Sequence, residues 1–234
     1  MKKYILTKSN LNNMVFPFPL RKELRLKLYF FNGSNKYDNF REQVTFAKDI
    51  WKINISDMVK GKNISNVDYP ITENDFKGNT AEILNRTNIK NILSLSSPYK
   101  TIGDETVVRV FFIPLDKIQP NADGMTLVET IRRGDMVCFR CNIFISNGAD
   151  PKLLGHEIGH TLFCGNSELK CNDPDNPKDG NTSHHSDINN LMYPTLYSGP
   201  SFPVLTGKQI QVARSSFFYP TWFYYYYVLR KIKI

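Results

Sequence analysis

Two histidines and a glutamate are the residues of this sequence best suited to chemistry. His156 and His160 stand four residues apart in the stretch HEIGH, and Glu157 directly follows the first of them. Residues four apart on a helix share one face, so both imidazoles can reach a single Zn²⁺ ion at about 2.0–2.1 Å. Glu157 lies beside that row, where its carboxylate can take a proton from a zinc-bound water. The spacing therefore predicts a hydrolytic metal site.

The alternative explanation is an accidental occurrence of these residues on a solvated helix. Against it, all four histidines of the chain fall between positions 156 and 185. The surrounding helix is mostly apolar, which predicts burial, and buried helices rarely carry His and Glu without a use. Its apolar residues are Leu153, Leu154, Ile158, Leu162 and Phe163.

The motif resembles that of the metzincin metalloproteases, HExxHxxGxxH, which is followed later in the chain by a methionine-containing turn (the Met-turn). HEIGHTL matches its first seven positions, but Phe163 stands at the family's glycine and Asn166 at its third histidine. In the family, the chain leaves the helix at this glycine, which adopts a left-handed conformation. That conformation is costly for a residue with a bulky side chain. We therefore expect the helix to continue past Phe163 and to stop at Gly165, with the third ligand farther along the chain.

The third ligand is expected in SHHSDINNLMYP, residues 183–194. The LMYP ending resembles the Met-turn of matrixin-like metzincins, and counting back eight residues from Met192, as that resemblance implies, gives His184. His185, one position later, is the alternative. Residues 164–183 then form an insertion between the second and third ligands, at a point where leishmanolysin-like metzincins also have one.

The resemblance implies one catalytic Zn²⁺ ion, a water activated by Glu157, and a protein or peptide substrate. Met192 would lie beneath the metal as a hydrophobic floor. An edge strand would pair with an extended substrate through main-chain hydrogen bonds. The segment after the Met-turn would border the pocket that accepts the substrate side chain following the cut bond. The residues expected to contact substrate are Gly124, Met125, Thr126, Leu127, Pro194 and Tyr197.

Hydrophobic periodicity predicts the elements that position these residues. Strands are expected at 24–31, 53–59, 106–115 and 136–146, with a short strand within 121–127. Helices are expected at about 36–52, from Pro151 through the histidine motif, and from Thr206, which can form a capping box with Gln209. Residues 73–88 are ambiguous, with a short helix as one interpretation.

This order predicts an α/β (α+β) fold. The metzincin resemblance adds an upper lobe with a twisted mixed sheet backed by two helices, and an irregular lower lobe with the Met-turn and a C-terminal helix. One catalytic domain is expected at 21–217, divided into lobes at 21–163 and 164–217. An N-terminal segment at 1–20 and an aromatic, basic tail at 218–234 lie outside it.

Composition narrows the function classes. The 234 residues are 41% hydrophobic and 22% charged, which is ordinary globular usage. The net charge of +8 comes from scattered basic residues without a nucleic-acid-binding motif, so we expect no nucleic-acid partner. No membrane span or signal peptide is apparent; an extracellular location is implied by the resemblance alone.

Four cysteines allow two disulfides. Cys164 and Cys171 bracket a short polar segment and are the better disulfide candidates. For Cys138 and Cys141, which lie in a predicted strand, buried thiols and a disulfide are both open.

Two other functions compete with a zinc endopeptidase. One is a thermolysin-like enzyme with glutamate as third ligand, which is disfavoured because Glu168, the last glutamate, lies too near His160. The other is a non-catalytic binding protein on a degenerate metzincin scaffold, which the insertion at 164–183 and the departure at Phe163 allow.

Overall fold

The computed structural model describes seven stretches of the chain. They are residues 23–34, 38–95, 107–133, 136–164, 171–176, 183–195 and 202–216, with the backbone alone at 38–39, 57–62, 130–133 and 136–139. The expected terminal segments at 1–20 and 218–234 lie outside these residues, as do Gly165, Asn166 and Glu168. Within the described stretches, no helix combines the length and apolarity needed to cross a membrane.

A five-stranded mixed sheet organises the described part of the chain. Its strands are β1 (Leu24–Phe31), β2 (Ile55–Ile64), β3 (Val107–Phe112), β4 (Gly124–Arg133) and β5 (Met136–Ile145). Their order is β2-β1-β3-β5-β4, and every neighbouring pair is parallel except the antiparallel pair of β4 and β5. β4 is longer than the short strand expected, because it pairs with β5 along all ten of its residues.

Among the described residues, five α-helices accompany the sheet. They are α1 (Asp38–Trp51), α2 (Thr80–Asn85), α3 (Thr87–Ser94), α4 (Leu153–Phe163) and α5 (Gly207–Ser215), with a short 3₁₀ helix at Glu73–Phe76. The ambiguous stretch at 73–88 thus contains the 3₁₀ helix, all of α2 and the beginning of α3.

Helices α1 and α4 pack on one face of the sheet. The apolar residues of α1 recur at the helical spacing from which this helix was predicted, and Phe40, Val44, Ala47 and Trp51 are all buried. The Trp51 indole Nε1 donates a hydrogen bond of 2.8 Å to the backbone carbonyl of Gly155 in α4. This bond and the surrounding core hold the histidine helix against α1.

The opposite face of the sheet is covered by α2 and α3. Ile83 and Ile92 of these helices are buried in one cluster with Tyr29, Phe111 and Phe144 of the sheet. The Phe111 ring stacks on those of Tyr29 and Phe144, with centroids 4.7 and 4.9 Å away. The α/β class with a mixed sheet is confirmed, and the expected two-helix backing omitted this second helical layer.

Helix α4 ends at Phe163, so the expected continuation toward Gly165 is wrong. The chain leaves the helix at Cys164 with φ −74° and ψ 150°, an extended conformation that needs no glycine. The ring of Phe163 stays in the core and packs edge-on against Trp51, with centroids 5.7 Å apart. Cys164 forms a disulfide with Cys171, which confirms the preferred pairing.

The last helix begins as its sequence predicts. The Thr206 hydroxyl oxygen accepts a hydrogen bond of 3.1 Å from the Gln209 backbone N–H. The Gln209 side-chain oxygen accepts one of 2.8 Å from the Thr206 backbone N–H, so the capping box is complete. Ala213 on its inner face is fully buried, in the same core cluster as Leu162 of α4 and Met192.

Candidate metal centre and cleft

His156 and His160 project from the same face of α4, as their spacing requires. Their ring centroids lie 4.8 Å apart, and the two Nε2 atoms are 3.1 Å from each other. Without a metal, one neutral imidazole can donate a hydrogen bond to the other at this distance. One metal ion can accept both nitrogens at that separation, since zinc–nitrogen bonds measure about 2.0–2.1 Å.

His184 completes the cluster. Its ring centroid lies 5.4 Å from that of His156 and 4.9 Å from that of His160, and one ligand atom from each histidine falls within 4.8 Å of the others. His185 is oriented differently, because its Nδ1 accepts a hydrogen bond of 3.0 Å from the Asp187 backbone N–H within its own loop. Of the two candidates from the sequence, the structure brings His184 to the helix pair.

A hydrogen bond to the backbone fixes the orientation of the His156 ring. Its Nδ1 lies 2.7 Å from the backbone carbonyl of Leu191, so Nδ1 carries the proton and donates. Nε2 is then left with its lone pair facing the other two rings, which is the arrangement a metal-ligating histidine needs.

Met192 is fully buried beneath the histidine helix. A β-carbon placed on Gly159 would lie 2.3 Å from its sulfur and 2.7 Å from Cζ2 of Trp51. The helix can therefore approach the methionine this closely only because position 159 has no side chain. A hydrophobic floor below the cluster is what the Met-turn resemblance implies for Met192.

The cluster suits a transition-metal ion of intermediate softness, which prefers imidazole nitrogen ligands. Burial lowers the pKa of His156 to about 4 and lowers that of His160 well below its usual value. Burial also lowers the pKa of His184. All three imidazoles are therefore neutral near pH 7, which is the protonation state that binds a metal. Three nitrogen ligands and an open side fit the donor set of a catalytic site.

Glu157 points away from the histidine row toward edge strand β4. Its Oε2 accepts a hydrogen bond of 2.5 Å from the Thr126 hydroxyl, and a β-carbon on Gly124 would lie 2.9 Å from its Oε1. Burial raises the pKa of Glu157 to about 7, although the Thr126 hydrogen bond opposes this rise. A carboxyl with a pKa near neutrality can both accept and release a proton, as a general acid–base catalyst must.

A cleft of about 810 Å³ opens beside the cluster. Its lining includes the three clustered histidines, Glu157, the β4 residues Gly124, Met125 and Thr126, and Pro194 after the Met-turn. Of the residues expected to contact substrate, the structure brings Gly124, Met125, Thr126 and Pro194 to one cleft. Tyr197 lies outside the described residues.

Leu127 does not line the cleft with its side chain. It is 1% exposed and belongs to the aromatic cluster on the other face of the sheet. Neighbouring side chains on a strand point to opposite faces, so with Thr126 facing the cleft, Leu127 must face away. Any contact of Leu127 with substrate is therefore limited to its main chain, which is the kind of contact expected of an edge strand.

Two partners of the site were not foreseen from the sequence. Thr126 was expected to contact substrate, whereas its hydroxyl holds the Glu157 carboxylate from 31 positions away. The Leu191 carbonyl orients His156 across 35 positions. Neither contact leaves a signal in local spacing, because both depend on how separate elements pack.

Comparison with protein-family models finds no match for this chain. Comparison with curated proteins finds none either.

Proposed function

We propose that the protein is a zinc-dependent endopeptidase of the metzincin type. The observation that carries the proposal is the position of Glu157, a buried carboxylate beside a three-histidine cluster in an open cleft. A purely structural metal site would have no use for that carboxylate, and its four coordination positions would be closed by protein ligands.

His156, His160 and His184 would hold the ion. When bound, Zn²⁺ supplies Lewis-acid polarisation of a substrate carbonyl and makes water a stronger nucleophile at neutral pH. The ligand set disfavours a thermolysin-like third glutamate, because among the described residues the cluster contains histidines only.

Glu157 would act as general base and then as general acid. Its carboxylate accepts a proton from the attacking water, and the same group then donates a proton to the leaving amide nitrogen. The Thr126 hydrogen bond to Oε2 keeps the carboxylate in one orientation during this exchange. Its raised pKa of about 7 suits a group that must take up and release a proton within one cycle.

Edge strand β4 would bind the substrate. It is the last strand of the sheet, next to α4 on the rim of the cleft, and an extended peptide can add to such an edge by main-chain hydrogen bonds. Pro194 would border the pocket for the side chain after the cut bond. The substrate class is therefore an extended segment of a protein or peptide.

An oxidising, extracellular location is part of the proposal. The disulfide between Cys164 and Cys171 supports it, because such bonds persist mainly outside the reducing cytosol.

The test compares Glu157→Gln with the wild type on an unfolded protein substrate such as casein. Glu42→Gln, a change on the exposed face of α1, is the matched control. We expect Glu157→Gln to keep one zinc per chain and to lose at least about a hundredfold in cleavage rate, which is within the usual range for general acid–base groups. Undiminished cleavage by Glu157→Gln would refute the assignment. Zinc binding without cleavage by the wild type would favour the non-catalytic binding protein.

A further inference from the structure

Residues 171–176, which lie between the second and third histidines of the cluster, are attached to the core by a disulfide at their first residue. Cys171 is joined by the disulfide to Cys164, the residue that directly follows α4. Cys164 is 1% exposed and belongs to the main core, and Cys171 packs against that core. Residues 171–176 are therefore anchored to the end of the helix that carries His156 and His160.

The same segment contacts the third histidine directly. The side-chain Nδ2 of Asn176 donates a hydrogen bond of 2.6 Å to the backbone carbonyl of His184. Its partner is thus the main chain of His184, so the bond fixes the position of the residue without involving the imidazole that faces the cluster.

Asp173 fastens the middle of the segment to the lower part of the molecule. It is 3% exposed, and its Oδ2 accepts a hydrogen bond of 2.7 Å from Nε2 of Gln209 in α5. The same Nε2 lies 3.1 Å from Oδ1 of Asn190, which also accepts a bond from the Met192 backbone N–H. One buried network therefore connects the segment to α5 and the Met-turn.

We propose that residues 171–176 act as a clamp that positions His184 on the metal, with the disulfide as its fixed end and Asn176 as its contact. The inference rests on the metal site of the proposed function, and it does not depend on peptide hydrolysis. Asn176 is a positioning residue, because it acts on the metal through His184. Loosening either end of the clamp should weaken metal binding before it affects the rest of the fold.

The disulfide end is tested with the double variant Cys164→Ser/Cys171→Ser, since serine adds no thiolate that could bind the metal in its place. The contact end is tested with Asn176→Asp, which keeps the shape and removes the donor. Asn85→Asp is the matched control, because Nδ2 of Asn85 donates a hydrogen bond of 3.0 Å to the backbone carbonyl of Ala81 on the exposed side of α2.

The measurement is a titration of the metal-free full chain with Zn²⁺ against a competing chelator, repeated with Co²⁺ to record its visible absorption. Both test variants should bind zinc roughly 10- to 100-fold more weakly, as loss of a residue that orients a ligand usually does. Their Co²⁺ spectra should change, whereas Asn85→Asp should match the wild type. Thermal unfolding of the metal-free proteins separates this effect from a general loss of stability.

The outcomes distinguish this inference from the proposed function. A wild type that binds one ion, with equal affinity and spectrum in both test variants, overturns the clamp alone. A wild type that binds no ion overturns the clamp and the proposed function together. If the double cysteine variant does not fold, Asn176→Asp decides the question, and wild-type affinity in that variant counts against the clamp.

Discussion

The hydroxyl of Thr126 donates a hydrogen bond of 2.5 Å to Oε2 of Glu157. Thr126 lies on β4 and Glu157 on α4, so the bond joins the edge of the sheet to the carboxylate proposed to move protons. The Thr126 oxygen is also 3.1 Å from the Glu157 backbone carbonyl. Strand β4, which is proposed to bind substrate, and the Glu157 carboxylate are therefore held in one fixed relation.

Replacing Thr126 with valine tests this relation. Valine keeps the branched shape and removes the donor, so we expect kcat to fall about 10- to 100-fold, because hydrogen bonds to charged groups contribute about 1.5–3 kcal/mol. KM should change less, and Thr126→Ser should retain most activity. Steady-state kinetics on a short peptide decides it, and a wild-type kcat for Thr126→Val would contradict the role of the bond.

Gly159→Ala tests the close approach of the histidine helix to Met192. The new β-carbon would lie 2.3 Å from the Met192 sulfur, so the helix or the methionine must shift, at a cost of about 1–3 kcal/mol typical of overpacking. Urea unfolding measures the change. Gly207→Ala is the control, since no atom lies within 4 Å of its added carbon; equal stability of the two variants would mean that the contact is loose.

The raised pKa of Glu157 predicts a pH-dependent stability in the metal-free protein. Its folded pKa of about 7 exceeds the ordinary 4.5, so the folded state holds the extra proton between these values. This contribution is fully present below pH 4.5 and is lost as pH rises through 7.

Relative to the wild type, metal-free Glu157→Gln should therefore gain stability between pH 4.5 and 7. The expected gain is on the order of 3 kcal/mol at most, from about 1.4 kcal/mol for each pKa unit. Denaturant unfolding of both proteins across this range gives the difference, in which the shared histidines cancel. A difference that is flat with pH would mean that Glu157 titrates normally.

Cys141 should be inert in the folded protein. It is a free, fully buried thiol, and burial raises its pKa to about 12, so almost no reactive thiolate exists at pH 8. In a Cys138→Ser background, iodoacetamide should label one thiol per chain in denaturant and none in the native state, as read by mass spectrometry. Rapid native labelling would show that β5 opens readily.

Features built by short-range interactions could be predicted from the sequence. The helical row of His156 and His160 follows from their spacing, and the capping box of Thr206 and Gln209 from local hydrogen bonding. The side-chain direction of Leu127 could also have been inferred, because neighbouring residues of a strand point to opposite faces of the sheet and Thr126 faces the cleft. His184 was predicted by a resemblance in spacing to the Met-turn, since no local rule relates a loop residue to His160, which lies 24 positions earlier.

Features that depend on packing could not be predicted in this way. Phe163 does not adopt a left-handed conformation, but the chain leaves the helix directly after it, through an extended Cys164, and does not continue to Gly165. The second helical layer was missed because α2 and α3 have only six and eight residues, and such short helices gain most of their stability from tertiary contacts.

The central claim is that His156, His160 and His184 together hold one metal ion. The most direct test is the zinc content of purified His184→Gln and His185→Gln, measured by elemental analysis after gel filtration from excess zinc. His185 is a matched control, because it is the adjacent histidine and its ring bonds within its own loop. The account predicts one zinc per chain in the wild type and His185→Gln, and well under one in His184→Gln. A full zinc complement in His184→Gln, with loss in His185→Gln, would contradict it.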